Sequence, residues 1–267
     1  TMLLIVRILD NRNAVKVIEH FLIDGCDFYN DGYYDNNGRG YPWIAGDGKQ
    51  PKSNIFSDME FTNNTFYDSP RTSFFNDNNA ELDWPSSVSY HITLTNNTFV
   101  NFSTRSTGHK LFDLRYLPGG SVITVKNNLF ILTKQDNDSR PLYFEGADIR
   151  NIEGTGKVLF DVANNWSTNT HLTGGQIFTG GSFAASKRSF ASFGDEAIKN
   201  GREELQVHVD NISPTELMSS PNPPHIAPDA EMHNVNNLQG LYYNNTETVR
   251  NSNIYKLEIG ASKWREH

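Results

Sequence analysis

Asp58-Met59-Glu60-Phe61-Thr62-Asn63-Asn64-Thr65-Phe66 alternates polar with apolar residues, breaks at an asparagine pair and resumes on Thr-Phe. The same order returns in His91-Ile92-Thr93-Leu94-Thr95-Asn96-Asn97-Thr98-Phe99 and in Val122-Ile123-Thr124-Val125-Lys126-Asn127-Asn128-Leu129-Phe130. A further copy is Leu159-Phe160-Asp161-Val162-Ala163-Asn164-Asn165-Trp166. A weaker one, His20-Phe21-Leu22-Ile23-Asp24-Gly25-Cys26-Asp27-Phe28, precedes them all. Aligned on the second Asn, or on Cys26 in the weak copy, the copies lie 38, 33, 31 and 37 residues apart.

Alternation with period two marks a strand with one buried face. Met59 and Phe61, Ile92 and Leu94, Ile123 and Val125, and Phe160 and Val162 are expected to point inward. Outward go Asp58, Glu60 and Thr62; His91, Thr93 and Thr95; Val122, Thr124 and Lys126; Leu159, Asp161 and Ala163. The spacing between copies is too long for a hairpin and suits one circuit carrying two or three short strands. Second strands are expected at 73–75, 111–115 and 142–145.

Stacked parallel circuits place equivalent residues about 4.8 Å apart, so five circuits span roughly 20 Å. At that spacing an inward asparagine amide donates to the carbonyl of the next asparagine, and aromatic rings stack in the same way. Such a ladder accounts for much of the unusual content of 31 Asn. The competing reading is a surface glycosylation sequon, which Asn63, Asn96, Asn101, Asn137, Asn165, Asn211 and Asn244 formally satisfy. Asn127-Asn128-Leu129 keeps the pair and loses the sequon, which favours the ladder. Leucine-rich, propeller and tetratricopeptide arrays disagree in period, strand content or helix signal. The fold predicted is all-β: a parallel β-helix over residues 1–185.

From residue 186 the pattern changes. A short helix is expected within 194–200, irregular chain at 219–225, and closing strands at 238–243 and 254–259. Residues 186–267 read as an irregular C-terminal cap of the same domain, blocking the exposed edge of the last circuit.

Charge and composition narrow the function. The 23 basic and 31 acidic residues leave a formal charge of −8, which argues against nucleic acid and less firmly against anionic lipid. A single cysteine, Cys26, excludes a disulfide framework and a multi-cysteine zinc site. Its ladder position predicts a small buried thiol. No HExxH or other close pairing joins His20, His91, His109, His171 and His208, so a zinc hydrolase is disfavoured. The apolar opening from Met2 to Val6 is cut short by Arg7, so neither signal peptide nor membrane span is visible. Because the chain opens mid-strand in character, a trimmed upstream segment is expected.

The loop from Tyr29 to Trp43 is long, Gly-rich and crowded with aromatics that a turn does not require. Tyr33, Tyr34, Tyr41 and Trp43 are candidates to cover the apolar face of a sugar while Arg39 and neighbouring Asn and Asp bond its hydroxyls. Trp84 before Pro85 is a candidate extension of that surface. The alternative is that these rings form a private mini-core on the flank.

The strand-and-asparagine motif at 59–66, 92–99 and 123–130, the Leu-Phe-Asp-Leu-Arg run at 111–115 and the Ile-Gly-Ala-Ser-Lys-Trp tail at 259–264 carry a resemblance. Together they resemble the secreted, pectate-lyase-like right-handed β-helix proteins of Bacteroidetes glycan-utilisation systems. The tail looks like the Gly-Asp-Pro-Arg-Trp ending common there, with Ala-Ser-Lys replacing Asp-Pro-Arg. Covering about residues 15–267, the resemblance implies a single-stranded right-handed parallel β-helix, the pectate-lyase-like solenoid. It also implies an extracellular or outer-membrane-surface location, with a signal or anchor lying upstream. Its motifs are structural, so they imply a fold more than a reaction.

In lyases of this kind a Lys or Arg removes the proton α to a uronate carboxylate, often beside Ca²⁺. The resemblance makes Lys110, Arg115 and Arg140 the candidate catalytic residues. Asp113, Arg115 and Glu145 are equally candidates for a salt-bridge ladder between circuits. Asp113 with Glu145 or Asp148 is one of many possible pairs for glycoside hydrolysis. Asp24, Asp58 and Glu60, with Asp35 and Asp47 in the loop, are weak calcium candidates lacking EF-hand or β-roll spacing, so no metal site is assigned. No cofactor is required, Ca²⁺ entering only if the protein is a lyase.

The expectation is an extracellular or surface-attached polysaccharide-binding β-helix module, monomeric, with polysaccharide as partner, no nucleic acid and no transmembrane segment. The alternative is a polysaccharide lyase acting on an acidic glycan by β-elimination. A third reading is a structural or adhesive stalk, including a phage-fibre type. An acidic protein suits a polyuronate poorly unless basic residues or Ca²⁺ gather in one groove, which ranks binding above elimination.

Overall fold

A computed structural model describes residues 17–18, 20–29, 44–45, 55–56, 58–67, 73–77, 91–100, 110–114, 120–131, 144–145, 159–169, 195–205, 207–219 and 241–266. The asparagine pairs organise it, and their two members do different work. Asn63, Asn96, Asn127 and Asn164 hold the left-handed backbone region at φ 56, 55, 54 and 56°, and Gly25 fills the same place at φ 65°. Asparagine is among the few residues that tolerate this region. The second members, Asn64, Asn97, Asn128 and Asn165, are fully buried.

Each turn joins two strands. Phe21–Asp24 (β2) leads to Asp27–Tyr29 (β3), Asp58–Thr62 (β6) to Thr65–Tyr67 (β7), and His91–Thr95 (β9) to Thr98–Val100 (β10). Val122–Lys126 (β12) leads to Leu129–Ile131 (β13), and Leu159–Ala163 (β15) to Trp166–Ser167 (β16). The strands before the turns form one sheet in the order β15-β12-β9-β6-β2. Those after the turns form another, β16-β13-β10-β7-β3, which His208–Val209 (β17) extends beyond β16. Ile44–Ala45 (β4), Ser73–Asp77 (β8), Lys110–Leu114 (β11) and Phe144–Glu145 (β14) make a third, β14-β11-β8-β4, in which β8, β11 and β14 fall at the places expected for second strands and β4 is an addition. Val17–Ile18 (β1) and Ile55–Phe56 (β5) form a separate pair. All these strand pairs are parallel, so the protein is a strand-rich, all-β parallel fold with few helices.

The register puts like on like. Met59, Ile92, Ile123 and Phe160 form one inward column and Phe61, Leu94, Val125 and Val162 the next, all at most 2% exposed. After the turn, Phe28, Phe66, Phe99 and Phe130 stack with ring centroids 5.1, 5.0 and 5.1 Å apart and planes within 11°. Burying one such ring stabilises the fold by about 1.5–3 kcal/mol.

Between these columns runs the asparagine ladder. Asn97 Oδ1 accepts from the backbone N–H of Asn64 at 3.1 Å and from its Nδ2 at 3.0 Å. Asn128 and Asn165 repeat the pattern one copy further on. The other Nδ2 hydrogen goes back to the preceding copy: Asn97 to Phe61 O, Asn128 to Leu94 O, Asn165 to Val125 O. A buried amide is thereby satisfied at both ends, as its desolvation requires. Glycan attachment at Asn165 would require pulling a fully buried side chain out of this ladder.

The C-terminal region departs from the strands expected there. Residues 254–259 begin in a helix, Asn253–Lys256, not a strand. Ser252 caps it, accepting from Tyr255 N, and Asp210 Oδ2 accepts from Ile254 N. The helix and the chain reversal after it, closed by Ile259 N to Ile254 O at 3.0 Å, bury both Ile254 and Ile259, whereas a strand would set residues five apart on opposite faces. A second helix, Glu247–Asn251, and a third, Pro214–Leu217, are capped by Thr246 and by a Ser213–Glu216 capping box. At 238–243 the described part gives a single antiparallel bridge, Tyr243 to Met218. The helix expected within 194–200 is a single 3-10 turn, Asp195–Ala197.

Two C-terminal segments pack against the copies in different ways. Residues 195–210 add an irregular layer over the last copy, with Lys199 N to Phe160 O at 3.0 Å, His208 N to Asn165 O at 2.8 Å and Asp210 N to Ser167 O at 2.9 Å. Residues 260–264 instead run across the flank of the second sheet. Gly260 N donates to Asn127 O at 2.8 Å, Ala261 N to Thr98 Oγ1 at 2.9 Å and Trp264 Nε1 to Thr65 Oγ1 at 3.0 Å, while Lys263 pairs with Asp27. Beneath them Val100, Leu129 and Ile131 pack with Ile212, Leu217, Ile254, Ile259 and Trp264. Among the described residues no helix is long and apolar enough to cross a membrane.

Candidate functional site

Because the first sheet buries alternate residues, its other face is a grid of mostly polar side chains in columns. Leu22, Glu60, Thr93, Thr124 and Asp161 form one column, and Asp24, Thr62, Thr95, Lys126 and Ala163 another. Asp58, His91, Val122 and Leu159 form a third. His91 and Leu22 are exposed, and the threonines are partly so.

One end of the grid is more enclosed than alternation predicts. Asp161, expected on the outer face, does point away from the core, yet it is only 7% exposed. Lys126 Nζ at 2.8 Å, Lys199 Nζ at 3.1 Å and Asn200 Nδ2 at 2.6 Å close over it. Burial alone would raise the Asp161 pKa, but the hydrogen bonds from Lys126, Asn200 and Lys199 and the Lys126 charge hold it below the ordinary carboxylate value. Beside it, Glu204 Oε2 accepts from Asn164 N at 2.7 Å. This carboxylate stands where Asn63, Asn96 and Asn127 find a backbone carbonyl of the next copy, at 3.2, 3.1 and 3.2 Å. His208 lies 3.3 Å from the same oxygen and its ring is 5.1 Å from that of Trp166, whose Nε1 donates to Asn164 Oδ1 at 2.7 Å.

Of the candidate catalytic residues, Lys110 opens β11, where its backbone pairs with Ser73. Arg115 and Arg140 lie outside the described residues, as do Tyr33, Tyr34, Arg39, Tyr41, Trp43 and Trp84 of the aromatic surface and Asp35, Asp47 and Asp148. Asp113 and Glu145 are register partners in the third sheet. Asp24, Asp58 and Glu60 fall in three different columns. Asp24 accepts from Asn63 Nδ2 at 3.2 Å and Asp58 faces His20 Nδ1 at 3.1 Å. Among the described residues no three His, Cys, Asp or Glu side chains gather as a metal site would need.

Cys26 corrects an expectation: its thiol is exposed, not buried. It does hold the ladder position, its N–H donating to Asn64 Oδ1 at 2.9 Å. It belongs, however, to the outermost copy of the ladder, where Phe21, Ile23 and Phe28 are also only partly buried. The Asp161 cluster and Glu204 were missed because Lys199, Asn200 and Glu204 lie beyond the repeat, where no period places them. Comparison of the chain with protein-family models, curated proteins and solved structures finds no match.

Proposed function

We propose that the chain is a single-stranded right-handed parallel β-helix of the pectate-lyase-like type. We further propose that it is the polysaccharide-binding module of an extracellular or outer-membrane-surface glycan-utilisation system. One observation carries the binding reading: the hydroxyls of Thr62, Thr93, Thr95 and Thr124, with the carboxylate of Glu60, repeat in columns on a partly exposed sheet face. Side chains that both donate and accept, spaced at about 4.8 Å, suit a hydroxyl-bearing polymer that is itself periodic. The aromatic loop with Tyr33, Tyr34, Arg39, Tyr41 and Trp43 supplies sugar-stacking surface on this reading.

Elimination is less well supported. Lys126 and Lys199 both turn their side-chain nitrogens onto Asp161, at 2.8 and 3.1 Å, so neither is directed at a substrate as a base must be. Incubation with a polysaccharide panel, with and without Ca²⁺, separates the readings. Retarded migration in a glycan-containing gel without new ultraviolet absorbance is expected for a binding module. Accumulating absorbance from unsaturated product would replace it with a lyase, and neither behaviour would leave a stalk.

A further inference from the structure

We infer that the outer edge of the asparagine turns is a docking strip for a linear, neutral polysaccharide lying along the stacking direction. This rests on the glycan-binding reading and adds to it the surface and the class of sugar. The left-handed residues Asn63, Asn96 and Asn127 stand at one position of successive copies, each preceded by Thr62, Thr95 or Lys126, and all six are partly exposed. The side chains of Thr62, Thr95 and Asn96 have no hydrogen-bond partner among the described residues. Asn127 Oδ1 accepts from Asn164 Nδ2 at 2.8 Å, and its own Nδ2 has no partner among the described residues.

The backbone alone does not require these amides. Gly25 makes the same turn at φ 65° with no atom within 4 Å of where a Cβ would stand. Asparagine is nonetheless present at the other four turns, although a left-handed backbone costs an L-residue more than it costs glycine. Asn63 spends its amide on Asp24, and Asn164 spends its own on Asn127 and Trp166, but that of Asn96 has no partner among the described residues. Repeating amides and hydroxyls match sugar hydroxyls in both hydrogen-bond roles. The cation of the strip, Lys126, is bound to Asp161, and Asp24 lies at the opposite end, so the strip favours an uncharged chain over a polyuronate.

Affinity electrophoresis in gels holding a mixed-linkage glucan, a mannan or a galactan, beside gels with polygalacturonate or alginate, tests the inference. Asn96→Gly removes the amide and keeps the turn, and Thr95→Val removes the hydroxyl and keeps the shape. At least one neutral polysaccharide is expected to retard the native protein, with fivefold or greater weakening in each variant and an unchanged urea midpoint. Should Asn96→Gly shift that midpoint, Thr95→Val decides alone. Undiminished retardation of both variants, or binding confined to the acidic polymers, would overturn the strip. Loss of binding in Tyr41→Ala and Trp43→Ala with both strip variants intact would remove the strip and leave the glycan-binding reading standing. If no polymer retards the native protein, that broader reading fails first.

Discussion

Two parts of the molecule stay together by opposite means. In the copies from 58 to 167, every important contact is made again one layer on: Phe on Phe, Asn on Asn, Ile on Ile. In the segment from 241 to 266, every contact is made once. Trp264 reaches Thr65, Ala261 reaches Thr98, Gly260 reaches Asn127, and no second residue duplicates any of them. Repetition spreads stability over many equal neighbours, while the flank segment concentrates it in a few contacts between residues far apart in sequence. Damage to the first is therefore expected to be global, and damage to the second local.

The sharpest challenge to that contrast is Asn97→Ala. It takes the Asn97 Oδ1 acceptor from both Asn64 N–H and Asn64 Nδ2 in the interior and removes the Nδ2 donor to Phe61 O and Asn128 Oδ1, so a loss of about 3–5 kcal/mol is expected. Urea unfolding should move as one transition; a small loss would mean that the ladder is incidental. Gly260→Ala comes next, at about 2–3 kcal/mol, because the residue sits at φ 80° and a Cβ would lie 2.5 Å from Thr98 Oγ1 and 3.0 Å from Leu129 Cβ. Hydrogen exchange should then rise across 241–266 while the repeated strands keep their protection.

Asp161→Asn is expected to cost about 1–2 kcal/mol at neutral pH, discounted for the partial exposure of both lysines. Its pH dependence is the more telling measurement. With the folded-state pKa below the unfolded one, the carboxylate contributes fully above its ordinary value of 3.8 and loses that contribution as pH falls through the depressed value. The variant's stability curve should therefore approach that of the native protein in acid; parallel curves would remove Asp161 from the account. The smallest effect runs the other way. Cys26→Asn supplies a ladder amide toward Asn64 Oδ1 and is expected to add about 0.5–1 kcal/mol while abolishing labelling by thiol reagents in the folded state.

The same contrast explains what could be read from the chain beforehand. Inward positions such as Met59 and Leu94, the second strands and the buried member of each asparagine pair were legible because parallel stacking writes one requirement at regular intervals. The left-handed role of the first asparagine was equally present, with Gly25 substituting at the weak copy, but an Asn-Asn pair conceals two separate demands behind one residue type. The helices capped by Thr246 and Ser252 were not recovered from 254–259, since Ile254 and Ile259 bracket too short an interval for a period to declare itself. The candidate site divides likewise. Its threonine and carboxylate columns followed from alternation, whereas the Lys199–Asn200–Glu204 cover depends on one excursion of the chain that no recurrence announces.

The flank segment also has arithmetic built into it. Its attachment points at Asp27, Thr65, Thr98 and Asn127 fall on four consecutive layers, so its length works as a ruler. A gene that duplicated or deleted one layer between these points would leave the stacking chemistry content, since each layer knows only its neighbours. The ruler would then come up short or overrun. A chain whose repeats could be counted off freely is in this way held to a set number by the one stretch that does not repeat.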